Sequence, residues 1–250
     1  LNTIEDIDVE KVKEIYPYEK ATEFKNRALN SSHPHQQGTN QNPDIFFQNR
    51  EACNEFYNKV PGIVKDVFND VAKITDRNYG LFEYYGHPQA KRVIVMMGSG
   101  AGVTEHAVDY LKDYEEVGLI KVRLYRPFSV EDFIKLIPET CEKIAVLDRT
   151  KEPGSAGEPL YKDVTSALFD AGKNIKVYGG RYGLSGKDFT VSMVKAVLDN
   201  LKSDTPKNNF TVGITDDVTN TSLNVTEQCL VINSDVTSCK FYGLGGDGTL

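Results

Sequence analysis

Between Arg92 and Leu201, short β-branched apolar runs alternate with helical stretches, and that rhythm narrows the fold more than any other feature of the chain. Strands are expected at Arg92–Met97, Ile120–Tyr125, Lys143–Leu147 and Asn174–Tyr178. Helices are expected at Thr104–Tyr114, Val130–Leu136, Pro159–Asp170 and Val191–Leu201. Alternating strands and helices favour an α/β fold: an open, mostly parallel sheet with helices on both faces. The stretch Ile144–Tyr161, IAVLDRTKEPGSAGEPLY, shows one such unit, in which a strand breaks into a charged Gly/Pro-rich loop and resumes as a helix. The same grammar recurs at Ile175–Lys187, around Gly179-Gly180-Arg181-Tyr182-Gly183. Loops at the carboxyl ends of parallel strands usually carry chemistry or partner contacts, and two of them in one sheet suggest a shared edge.

The first part of the chain reads differently. Residues 1 to 32 carry a weak helical pattern, and Ser31–Asn42 reads as an extended loop. Pro43-Asp44 opens a helix whose apolar stripe, Ile45, Phe46, Ala52, Phe56 and Tyr57, lasts until Pro61. A second helix is expected from Pro61, burying Ile63, Val64, Val67, Phe68, Val71 and Ile74. The aromatic-rich Tyr79–Gly86 looks like a connector, and Asn209–Leu223 an edge strand or hairpin.

Composition excludes several function classes. Lys and Arg number 29 against 36 Asp and Glu, a net charge of -7, with no basic cluster beside aromatics, so nucleic acid is not an expected partner. No apolar run approaches the roughly 18 residues that span a bilayer, so no membrane association is expected, and residues 1 to 20 show no secretory pattern. Cys53, Cys141, Cys229 and Cys239 form no C-x-x-C pair and read as reduced thiols in or near the core. The Asn-x-Ser/Thr sequons at Asn30, Asn209, Asn220 and Asn224 read as chance without an export signal. Both ends, Leu1 and the Gly-rich GLGGDGTL, look cut from something larger.

Each chemical motif has a plain structural alternative. Met97-Gly98-Ser99-Gly100-Ala101-Gly102 lies between a strand and a helix; its glycines suit a phosphate at a helix N-terminus, or simply a tight turn. Asp148, Arg149, Lys151 and Glu152 would orient a carboxylate or phosphate, or form salt bridges at a domain interface. Arg181, Tyr182 and Lys187 pose the same choice. Asp216-Asp217 is better explained by turn chemistry than by a metal or acid/base pair, since neighbouring strand residues face opposite ways. His33, His35, His87 and His106 are scattered, with no nucleophile elbow nearby. Gly243–Thr249 has the makings of an anion nest, contains the Gly-Asp-Gly that opens a thiamine diphosphate and magnesium motif, and equally fits a surface turn.

Several long blocks together resemble the pyruvate:ferredoxin (flavodoxin) oxidoreductase family. They are GTNQNPDIFFQNREACN from Gly38, KVRLYRPFS from Lys121, AVLDRTKEPGSAGEPLY from Ala145, GGRYGLSGKDFT from Gly179, FTVGITDDVTNTSL from Phe210 and SCKFYGLGGDGT from Ser238. The resemblance implies an internal fragment. Residues 1–78 correspond to the end of a thiamine-diphosphate-related first domain, 79–234 to a second domain similar to the transketolase C-terminal domain, and 235–250 to the start of a coenzyme-A-binding third domain. It further implies that Gly246, Asp247, Gly248, Thr249 and Leu250, aligned with the family's Ser-Asp-Gly-Thr-Val, contact coenzyme A; the missing serine hydroxyl and Leu250 depart from that pattern.

For the whole enzyme the resemblance implies oxidative decarboxylation of pyruvate to acetyl-CoA. The cofactors implied are thiamine diphosphate, Mg2+ and [4Fe-4S] clusters, all held outside this segment, so no catalytic or metal-binding residue is expected within it. The implied partners are ferredoxin or flavodoxin and a second copy in a homodimer. The implied location is the cytoplasm, or a hydrogenosome-like organelle in a eukaryote. A fragment of a pyruvate:NADP oxidoreductase and a free-standing α/β module that binds a nucleotide or acyl carrier are the alternatives.

Overall fold

The structure, a computed structural model, describes residues 6–35, 38, 40–229 and 239. They divide into two compact units: one holds the residues up to Tyr84 with Ile120–Ile137 and Ser166–Lys173, the other Tyr85–Leu119, Pro138–Thr165 and the residues from Asn174.

The first unit begins with α1 (Val9–Ile15), α2 (Tyr18–Asn26), α3 (Pro43–Glu51) and α4 (Asn54–Thr75). The Asp8 carboxylate accepts from the Glu10 N–H and caps α1, and Pro43 opens α3 where its missing N–H has no partner to lose. The helix expected from Pro61 instead starts at Asn54 and runs through the proline to a left-handed Asp76. One missing backbone donor removes one hydrogen bond, and a helix of 22 residues keeps the rest. None of α1–α4 contains a buried residue. The unit's order comes from elsewhere. Phe82, Phe128 and Phe133 pack with ring centroids 5.1–5.5 Å apart. Beside them the Glu83 carboxylate takes Arg123 Nε at 2.7 Å, Arg123 Nη2 at 3.0 Å and Lys121 Nζ at 2.8 Å, while Arg123 lies 4.6 Å over the Tyr79 ring.

The sheet has the order β1-β3-β2-β4-β5-β6, with β1 at Phe82–Gly86, β2 at Arg92–Met97, β3 at Val117–Val122, β4 at Lys143–Asp148, β5 at Lys176–Arg181 and β6 at Phe210–Thr211. Strands β2, β4, β5 and β6 are parallel, in a register that aligns Val95 with Val146 and Asp148 with Arg181. The expected connector at Tyr79–Gly86 contributes β1, whose Leu81 carbonyl accepts from Arg123 while His87 N–H donates to Val117, an antiparallel match to β3. The region of Asn209–Leu223 supplies a short edge strand, closed by a parallel bridge between Thr211 and Ser222, and not a hairpin.

The second unit's core follows from side-chain alternation. Ile94, Met96, Ala145, Leu147 and Phe210 point to one face, where α5 (Gly100–Leu111) and α8 (Val191–Lys202) cover them with Val108, Leu111, Val194, Leu198 and Leu201. Val93, Val95, Ile144 and Val146 point the other way and are equally buried, so both faces are covered, as the near-continuous apolar runs require. The remaining helices are α6 (Val130–Ile134) and α7 (Pro159–Asp170), the latter joining β4 to β5. At the amino edge Arg92 donates to the Leu198 carbonyl and Lys143 to those of Leu201 and Ser203, satisfying the last turn of α8. No helix among the described residues is long and apolar enough to cross a membrane.

Candidate functional site

The chain passes from β2 to β3 on one side and then crosses to β4 on the other, so the strand order reverses between β2 and β4. Outside the carboxyl ends at such a reversal lies the crevice where open α/β sheets bind ligands. The Met97–Gly102 turn, the Asp148–Glu158 loop, the Arg181–Lys187 loop and the segment after Thr211 all project there, because their strands run parallel. The shared edge read from the sequence exists.

Most of the charged groups on this edge are engaged within the chain. Asp148, 4% exposed, ends β4 and turns its carboxylate onto the start of α7, accepting from Leu160 N–H at 2.9 Å and Tyr161 N–H at 3.1 Å. Burial pushes its carboxyl up, against the two helix donors that pull it down. The negative charge meets the positive end of the helix, so this carboxylate is a cap. Arg149 Nε donates to the Gly183 carbonyl at 2.8 Å, joining the β4 and β5 loops. Glu158 folds back to accept from Glu152 N–H at 2.8 Å, and Lys162 pairs with Glu152 at 3.2 Å. Neither orientation of a ligand nor a salt bridge to another domain is needed to account for these contacts.

Arg181 is buried at the end of β5 and donates through Nη2 to the Asn209 carbonyl, while its Nε finds no partner among the described residues. Tyr182 turns to the opposite face of the sheet, packs on Phe189 with centroids 4.5 Å apart, and donates its hydroxyl to the Met97 carbonyl at 3.3 Å. A Cβ on Gly100 would lie 2.6 Å from Met96 Cε and 2.8 Å from Tyr182 Cε2, so this glycine is required by side-chain packing at the turn. Gly98, Ser99 and Lys187 stay exposed.

Sequence reasoning assigned Asp216 to turn chemistry, and the structure shows how far that goes. Its carboxylate accepts from the N–H groups of Val218, Thr219 and Thr221 and from the hydroxyls of Thr219 and Thr221. These hydrogen bonds, led by the Thr219 hydroxyl, hold its carboxyl far below the ordinary range. Such an acid is locked in its charged form and serves the loop, not proton transfer. Among the described residues no group of three or more His, Cys, Asp or Glu side chains is placed to hold a metal ion. Cys141 is buried and pushed up to about 12 by burial, an inert thiol. Residues Gly246, Asp247, Gly248, Thr249 and Leu250 lie outside the described residues.

Comparison with known proteins fits the edge into a larger frame. The family model described as pyruvate:ferredoxin oxidoreductase core domain II matches residues 90–194. A pyruvate:ferredoxin oxidoreductase of Moorella thermoacetica is 56% identical over 99% of this chain, which covers 21% of that protein. A pyruvate dehydrogenase (NADP+) of Cryptosporidium parvum is 49% identical over 100% of the chain, 13% of its own length. A pyruvate-flavodoxin oxidoreductase of Trichormus variabilis is 49% identical over 100% of the chain and 21% of its own. The chain thus belongs to the pyruvate:ferredoxin (flavodoxin) oxidoreductase family, contains its core domain II, and spans 13–21% of the length of these three relatives.

Proposed function

We propose that this chain is an internal framework segment of an enzyme that oxidatively decarboxylates pyruvate, transfers the acetyl group to coenzyme A, and passes two electrons through iron–sulfur clusters to ferredoxin or flavodoxin. The observation that carries this reading is identity of 46–56% to pyruvate:ferredoxin and pyruvate-flavodoxin oxidoreductases along 90–100% of the chain. The segment's own part is positional. Asp148, Arg149, Arg181 and Asp216 are tied to their own backbone, which fixes the loops of the carboxyl edge in place.

The domain division we assign is residues 1–78 as the end of a thiamine-diphosphate-related domain, 79–234 as a transketolase C-terminal-like domain and 235–250 as the opening of a coenzyme-A-binding domain. The helices before residue 78, which lack buried residues, support the first boundary. Thiamine diphosphate and Mg2+ would supply a carbanion equivalent at the keto carbon and [4Fe-4S] clusters a route for electrons. We assign those sites to other parts of the enzyme, as the family resemblance implies. Gly246–Leu250 would meet coenzyme A through backbone N–H groups. The full enzyme works as a homodimer, in the cytoplasm or a hydrogenosome-like organelle. The NADP-dependent relative at 49% identity favours one second reading, a fragment that hands electrons to NADP+ through a fused flavin domain.

Pyruvate-dependent viologen reduction tests the assignment. The 250-residue chain supplied with thiamine diphosphate, Mg2+ and coenzyme A should show none, and the full-length polypeptide carrying it should turn over. Activity of the chain alone would overturn the framework role. In the full-length enzyme Asp247→Ala should raise KM for coenzyme A more than KM for pyruvate; an unchanged coenzyme A dependence removes that contact.

A further inference from the structure

Helix α4 carries more apolar surface than its own unit uses. It meets α1, and the Phe68 ring lies tilted against that of Tyr79 with centroids 6.0 Å apart. A second row is left open: Phe56 is 69% exposed, Ile63 56% and Val67 50%, with Val60 between them half-buried. At 100° per residue these four positions fall within an arc of roughly 60°, one continuous stripe along the helix. The preceding helix α3 adds Ile45, Phe46 and Phe47, each between 46% and 67% exposed. Single exposed apolar residues are ordinary, but a stripe of aromatic and β-branched side chains on a helix without any buried residue lacks a partner among the described residues.

We infer that the Phe56–Val60–Ile63–Val67 stripe is a docking face for an apolar surface elsewhere in the same long polypeptide, outside residues 1–250: the remainder of the thiamine-diphosphate-related domain whose end these helices form. The inference rests on the reading of the chain as an internal segment and adds to it which residues form the seam. Two observations support an occupant within the same polypeptide. The family model begins at residue 90, after α4, whereas the relatives align across 99–100% of the chain, so these helices accompany core domain II in the long proteins without belonging to it. The chain also covers only 13–21% of those relatives, which leaves ample surface within one polypeptide to meet the stripe. Lys65, two residues from both Ile63 and Val67 and so on the opposite side of the helix, is held by Asp132 at 2.7 Å, which fixes the rotation of α4.

The test is site-resolved maleimide labelling of Ile63→Cys, and separately of Val67→Cys, in the 250-residue chain and in the full-length polypeptide, read by peptide mass spectrometry so that native Cys53 does not interfere. Labelling should be at least tenfold slower in the full-length protein, even at dilutions where that protein is monomeric, and independent of concentration in the short chain. Equal rates in the two proteins would overturn the docking face. Slow labelling of the short chain that tracks its dimerisation would also overturn it, in favour of a second copy. A native gene product of only 28 kDa would instead remove the internal-segment reading, a separate failure that its mass alone reveals.

Discussion

Replacing Glu83 by Gln should lower stability in a pH-dependent way that the structure allows to be worked through. Burial alone would raise the Glu83 carboxyl, but the hydrogen bonds and charges of Arg123 and Lys121 outweigh it and bring it from 4.5 to about 2. That drop corresponds to roughly 3 kcal/mol in favour of the ionised form. The Arg123 side chain is 35% exposed and solvent screens the pair, so the amount recoverable as stability is about 1–2 kcal/mol. Because the folded value is depressed, this contribution is fully present above the unfolded value of about 4.5 and is lost as pH falls toward 2. Gln keeps the shape and removes the charge. Urea unfolding followed by circular dichroism should show the variant about 1–2 kcal/mol less stable than wild type at pH 7, with the gap narrowed by roughly a third to a half at pH 3.5. A gap equal at both pH values, or wider in acid, would refute the electrostatic account and leave only packing.

Two further substitutions probe the carboxyl edge. Asp148→Ala strips the acceptors from Leu160 and Tyr161 at the start of α7 and should destabilise by about 2–3 kcal/mol, with early hydrogen exchange at those two amides; a loss below ~0.5 kcal/mol would show that water replaces the cap. Gly180→Ala places a Cβ 2.3 Å from the Phe210 ring and 2.8 Å from Leu147 Cδ2, which should cost about 1–3 kcal/mol and shift the Phe210 ring resonances; wild-type stability would mean that β6 yields freely.

The sequence displayed the α/β core because its signals are local. β2 and α7 occur at the expected residues, since a β-branched run bounded by charges and a Pro-initiated amphipathic stretch each decide their own state. β3 came three residues earlier than expected, at Val117–Val122: Gly118 hid the strand's start. Residues 1–78 were harder, since an apolar stripe in a sequence does not say whether its partner lies in the same chain. The stripe from Ile63 to Val67 was expected to be buried and is exposed here. The edge motifs were visible as unusual residues, but their roles were not. Asp148 faces donors twelve and thirteen residues away, and Arg149 a carbonyl 34 residues away, and only the fold brings these together. The Glu83 cluster was missed, although alternation along Lys121 and Arg123 placed two cations on one side of a strand end.

The hydroxyl of Tyr182 reaches the Met97 carbonyl, and the strands that carry these residues are not neighbours, since β4 runs between them. The tyrosine therefore bridges over an intervening strand and couples two turns 85 residues apart in the chain. Moving either turn alone strains this contact, so the two sides of the rim are fastened to each other across β4 and not only through the sheet beneath.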